Sequence, residues 1–120
     1  NMYDYLSIHI LTASNVFNFG MLWALFAHLS FPEANSSGRK VRIWGIAIAF
    51  VSFTIMSQSI VRAVKDLDKY GLTGDTIFTL NSIQDAVNVA AFAEYGLFLG
   101  LILALYSFEF DFNDKLKKSE

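Results

Sequence analysis

The chain contains no cysteine and one proline, and only 17% of its residues are charged. Without cysteine there is no disulfide framework and no thiolate metal or redox centre. The charged share lies well below the roughly 25% of soluble domains. With a net charge of −2, the chain also lacks the basic excess that a nucleic-acid partner needs. Catalytic signatures are missing too. There is no GxxxxGK[ST], GxGxxG, HExxH or GxSxG in the 120 residues, so the reading is of a protein that is not an enzyme.

What is abundant is apolar surface. Hydrophobic residues make up 54% of the chain and aromatics 16%, including twelve Phe. Three long apolar runs dominate, at about residues 6–31, 41–63 and 84–108. Each exceeds the roughly 20 residues that cross a hydrocarbon core of about 30 Å. They are too long for strands and do not alternate. A soluble bundle this small needs a polar outer face on every helix, and none of the runs has one. The fold class that follows is all-α: one integral-membrane domain over residues 1–120 with three transmembrane helices.

The connections support that division. The first run stops at Pro32, and PEANSSGRK reads as a short polar loop. The second run extends as helix toward Tyr70, where Gly71 and Gly74 end it. Ser82 and Asp85 resemble a capping box that opens the third. Thr76–Ile83 reads either as a short interfacial helix before the third span or as an early start of that span. The start, NMYDYLS, has neither the basic n-region nor the cleavage site of a signal peptide. The tail FEFDFNDKLKKSE alternates Phe with polar groups and reads as a solvated end, or else as a segment that lies along the interface or adds to a partner's surface.

Basic residues sort by side. Arg39, Lys40 and Arg42 in the first loop join Lys115, Lys117 and Lys118 in the tail, six in all, against Arg62, Lys65 and Lys69 on the other side. The positive-inside rule therefore places loop 32–42 and the C-terminus in the cytoplasm and the N-terminus outside. Asn35-Ser36-Ser37 matches a glycosylation sequon, and on the inner side it is a chance match.

Two residue sets stand out. The first is small. Gly45, Ala49 and Ser52 recur along one face of the second run, and Gly96, Gly100 and Ala104 follow at four-residue steps in the third. In lipid such faces let backbones approach closely. They serve either packing within the chain or a docking groove for another subunit's helix. The second set is polar. With each span centred in the membrane, Glu94, Gln58, Asn15 and Asn18 fall in the same half. An intramembrane acid is costly and marks a functional-site hypothesis. Glu94 is read as a hydrogen-bonding group joining helices within or between chains, with proton or ion handling and cofactor contact as alternatives. His9 and His28 lie nineteen residues apart, about 28 Å on one helix, so they cannot ligate one metal together.

The functional expectation is a non-catalytic accessory subunit of a larger integral-membrane complex, of respiratory, photosynthetic or membrane-oxygenase type. Its partners are other transmembrane subunits and the lipid bilayer. A second reading is a cofactor- or quinone-binding anchor similar to the short anchors of succinate dehydrogenase. That resemblance implies a haem-ligating His deep in a span, and this sequence has none. A third is a small homo-oligomeric proton or ion channel built on Glu94. No cofactor is assigned.

Overall fold

The structure is a computed structural model, and it describes residues 2–30, 35–69 and 84–120. Three helices make up the described chain: α1 (Met2–Ser30), α2 (Ser36–Lys69) and α3 (Gln84–Ser119). All three are long and apolar enough to cross a membrane, over Ile8–Ser30, Ser36–Ala63 and Gln84–Ser119. Among the described residues there is no strand. Pro32, Gly71, Gly74, Ser82 and the segment 76–83 lie outside the described residues.

Two helix boundaries differ from the sequence expectation. The second helix starts at Ser36, within the segment expected to be loop. Asn35 is its N-cap: the side-chain Oδ1 accepts hydrogen bonds from the Ser37 and Gly38 amides at 2.9 and 3.0 Å. Two donors of the first turn are thereby satisfied, which turns a polar stretch into a helix start. The third helix does not end near Phe108 but continues to Ser119, so the tail is helical rather than a loose end. Ser107, Asp111 and Asp114 follow one another at steps of four and three. That places them on one side of a helix, and each bonds either to α2 or to its cap. The alternation of Phe with polar groups had suggested no such period. Lys117 and Lys118 in the last turn suit the negative end of the helix dipole.

The fold centres on an antiparallel pair, α2 against α3. Ala49 and Leu97 are fully buried between them, joined by Met56, Ala93 and Phe17 of α1. Small residues set the separation of the pair. A methyl group placed on Gly45 would stand 2.6 Å from the Gly100 carbonyl oxygen and 2.7 Å from the Ala104 amide nitrogen. Both neighbours are backbone and cannot move aside as a side-chain tip can. Gly96 faces Ser52 one turn farther along, and Gly38 faces the Ser107 carbonyl near the other end.

Helix α1 lies against the outside of this pair. It buries Phe17 and Ala24 while Leu11, Phe19, Phe26 and Leu29 stay exposed. The Phe17 and Phe98 rings meet edge to face at 5.3 Å. Gly20 sits opposite the tip of Leu101. Leu101 is therefore half-buried against the core. Leu105, 58% exposed, faces outward one turn farther along.

Replacing Gly100 by Leu is expected to destabilise the α2–α3 pair by about 1–3 kcal/mol, the cost of overpacking. Leu105→Ala should stay within about 0.5 kcal/mol of the native chain, as exposed substitutions do. Equilibrium unfolding in mixed micelles, followed by circular dichroism, measures both. Equal stability of the two variants would show that the seam does not limit the approach.

Candidate functional site

The two small faces meet each other. Gly45, Ala49 and Ser52 of α2 oppose Gly100, Ala104 and Gly96 of α3 within one chain. Gly45, Ala49, Gly100 and Ala104 are buried, and Ser52 and Gly96 half-buried. The seam is thus occupied internally and does not form a groove open to another subunit's helix.

At its C-terminal α3 end the seam runs into a polar cluster. Arg42 is fully buried on α2, one turn before Gly45. Its Nη2 forms an ion pair with the Asp111 carboxylate. Its Nε donates to Ser107 Oγ at 2.9 Å, and the Ser107 hydroxyl donates onward to the Ala104 carbonyl. The guanidinium stands 4.3 Å from the centre of the Phe108 ring, within the reach of a cation–π attraction. Asp111 is shared: its second oxygen accepts the Asn35 amide at 2.8 Å. The Asn35 side-chain amide donates to Asp114. That nitrogen is the atom a glycan would need, so the sequon at Asn35 is engaged in structure. Arg42 Nη1 has no hydrogen-bond partner among the described residues. Phe108 also packs against Trp23 at 5.9 Å, which connects α1 to the same end.

This cluster was not legible as a site in the sequence. By the sequence Arg42 is a basic flank of the membrane, Ser107 is one polar residue near the end of the third apolar run, and Asp111 belongs to the tail beyond it. The available signal was the four-residue step from Ser107 to Asp111 opposite the four-residue step from Gly38 to Arg42.

The mid-depth polar residues have a different geometry. Gln58 follows buried Met56 by two positions, about 200° around the helix, so it lies opposite the seam. Asn15 has the same relation to buried Phe17, while Asn18 and Glu94 sit about 100° from buried Phe17 and Ala93. Accordingly Asn15, Asn18 and Gln58 are exposed and Glu94 is half-buried. Among the described residues no hydrogen bond or ion pair joins any of the four. Similar depth does not bring them together, because they point in different directions. Bonding of Glu94 to Gln58 or Asn18 within one chain is therefore not found.

His9 is exposed, and His28 is half-buried with Nδ1 lacking a partner among the described residues. Among the described residues no group of three His, Cys, Asp or Glu side chains could hold a metal ion. No protein-family model, curated protein or solved structure matches the chain.

The Arg42–Asp111 pair generates a sharp expectation. Removing one partner of a buried pair leaves an uncompensated charge and costs about 3–5 kcal/mol, whereas replacing both by apolar groups is often neutral. Asp111→Ala is expected to destabilise the chain by that amount. Arg42→Met combined with Asp111→Leu should be more stable than Asp111→Ala alone. A double-mutant cycle by micelle unfolding reads the coupling, and strictly additive losses would mean that the two groups act independently.

Proposed function

We propose that the chain is a non-catalytic accessory subunit of a larger integral-membrane complex, with loop 32–42 and the C-terminus in the cytoplasm and the N-terminus outside. The observation that carries this reading is the pair of amides on α1. Asn15 and Asn18 lie within the Ile8–Ser30 span, are exposed, and make no hydrogen bond among the described residues. In hydrocarbon an unsatisfied polar group is costly, and interhelical hydrogen bonds to Asn are the usual remedy. The helix that bears them is also the one held least by its own chain, since α1 buries only Phe17 and Ala24 of its described residues. A partner helix on the outer face of α1 satisfies the amides and covers the helix together.

Native purification in mild detergent with mass spectrometry tests the proposal. Other membrane polypeptides should co-elute. Asn15→Leu with Asn18→Leu should release them, with roughly 3- to 30-fold weaker association per lost bond, corresponding to about 0.6–2 kcal/mol. A chain that elutes with lipid alone from a gentle extraction would sink the reading.

One observation favours a second reading. Glu94 is half-buried in its span and has no bonding partner among the described residues. In a homo-oligomer it would line a proton or ion path, and this work requires a group that titrates. Glu94→Gln keeps the shape and hydrogen-bonding capacity but not the proton. Under the accessory reading both assembly and the activity of the complex survive this change. Normal assembly with abolished activity would assign Glu94 to a transport path instead.

The orientation follows from the six-to-three distribution of Lys and Arg. The chain has no native cysteine, so single cysteines at exposed Ser37 and Gln84 report it cleanly. An impermeant reagent on intact cells should label Gln84→Cys and leave Ser37→Cys unlabelled. The reverse pattern would invert the topology.

A further inference from the structure

We propose that the face of α2 opposite the seam is a binding site for an anionic phospholipid. A groove of about 520 Å³ opens there, lined by Thr54, Gln58 and Ser59 and, toward its mouth, by Arg62 and Lys65. The apolar span of α2 ends at Ala63, so Arg62 and Lys65 flank the membrane boundary at headgroup level. Both are exposed, and neither forms an ion pair among the described residues.

The chemistry of the groove is that of a donor set awaiting acceptors. The Thr54 hydroxyl donates to the Phe50 carbonyl and the Ser59 hydroxyl to the Ile55 carbonyl, each at 2.9 Å. Their protons are thus committed. The donors left are the Gln58 amide, the Arg62 guanidinium and the Lys65 ammonium. Seven residues of helix separate Gln58 from Lys65, about 10 Å along the axis. A phospholipid presents its acceptors over a comparable depth: a phosphate at the surface, ester carbonyls below it, then acyl chains. Arg62 and Lys65 match the phosphate, Gln58 matches an ester carbonyl, and Ile55 and Val61 beside them offer apolar contact. A single carboxylate on a partner helix would satisfy one level of this ladder and leave the others. A choline headgroup brings its own cation toward Arg62 and Lys65, so the site selects a net anionic lipid.

The test uses the full chain in detergent, with equimolar phosphatidylglycerol and phosphatidylcholine, and native mass spectrometry of the retained lipid. Phosphatidylglycerol should be retained in preference. Arg62→Gln and Lys65→Gln should each lower that preference about fivefold, the surface attraction of one basic residue to anionic lipid. Gln58→Leu should lower retention of both lipids. Arg39→Gln with Lys40→Gln, equally exposed cations at the other membrane edge, should leave the preference unchanged. Circular dichroism confirms that each variant remains helical. Equal retention of the two lipids by the native chain overturns the proposal. So does an equal loss on removing Arg39 and Lys40, because the attraction would then belong to overall charge. Displacement of the lipid by soluble glycerol phosphate would reduce the site to a phosphate site. A copurifying polypeptide that crosslinks at position 58 in place of lipid would assign the groove to a protein partner.

Discussion

The backbones of α2 and α3 touch at Gly45 and Gly100, and the remainder of the structure follows from that approach. Within lipid there is no hydrophobic drive to bring two apolar helices together, because the acyl chains are as apolar as Leu. Attraction has to come from close packing over many atoms, which needs the absence of side chains where the axes cross. Ala49, Ala104 and Ser52 extend the contact on either side of the crossing. The seam also fixes register. A slide of one residue would turn Gly45 away from Gly100 and place a bulky side chain between the helices.

That register carries a buried ion pair at one end. With Gly45 opposite Gly100 and Ala104, Arg42 falls opposite Ser107 and Asp111 one turn beyond. Burying a guanidinium and a carboxylate costs several kcal/mol per ion before their attraction is counted. Here the cost is offset by further bonds: Ser107 to Arg42, the Asn35 amide to Asp111, and the Phe108 ring beneath the guanidinium. Such an arrangement contributes specificity more than net stability, since only one pairing of the helices satisfies all of these groups. It also explains why α3 remains helical to Ser119. Asp111 and Asp114 hold the N-cap of α2, and a tail that unwound would release both.

The polar groups left outside the seam separate by direction. Asn15 and Asn18 lie on the outer side of α1, Gln58 on the far side of α2, and Glu94 on a flank of α3. A set of this kind cannot form one internal network. It divides the molecular surface into sectors with different chemistry: amides within the apolar depth on α1, and a ladder of donors reaching the headgroups on α2. The two sectors differ in depth: the α1 amides lie within the apolar span, while Gln58 is continuous with two cations at the membrane edge.

Helix number, membrane insertion and the small residues that make the seam were all legible in the sequence. Span length and apolar composition decide whether a segment crosses a bilayer, and both are properties of a local stretch of chain. Spacing of three and four residues similarly reveals which positions share a face. The pairing of faces was not legible, because Gly96, Gly100 and Ala104 suit any close helix neighbour, internal or external. Depth placed Glu94, Gln58, Asn15 and Asn18 at one level, but depth says nothing of angle between helices, and the structure turns them apart. The Arg42, Ser107 and Asp111 cluster was beyond reach for a related reason. Sixty-five residues of chain separate Arg42 from Ser107, and a tail read in isolation has no apolar period strong enough to declare itself a helix. Only the antiparallel contact of α2 with α3, with its register set where two glycines let the backbones meet, brings those groups within bonding distance.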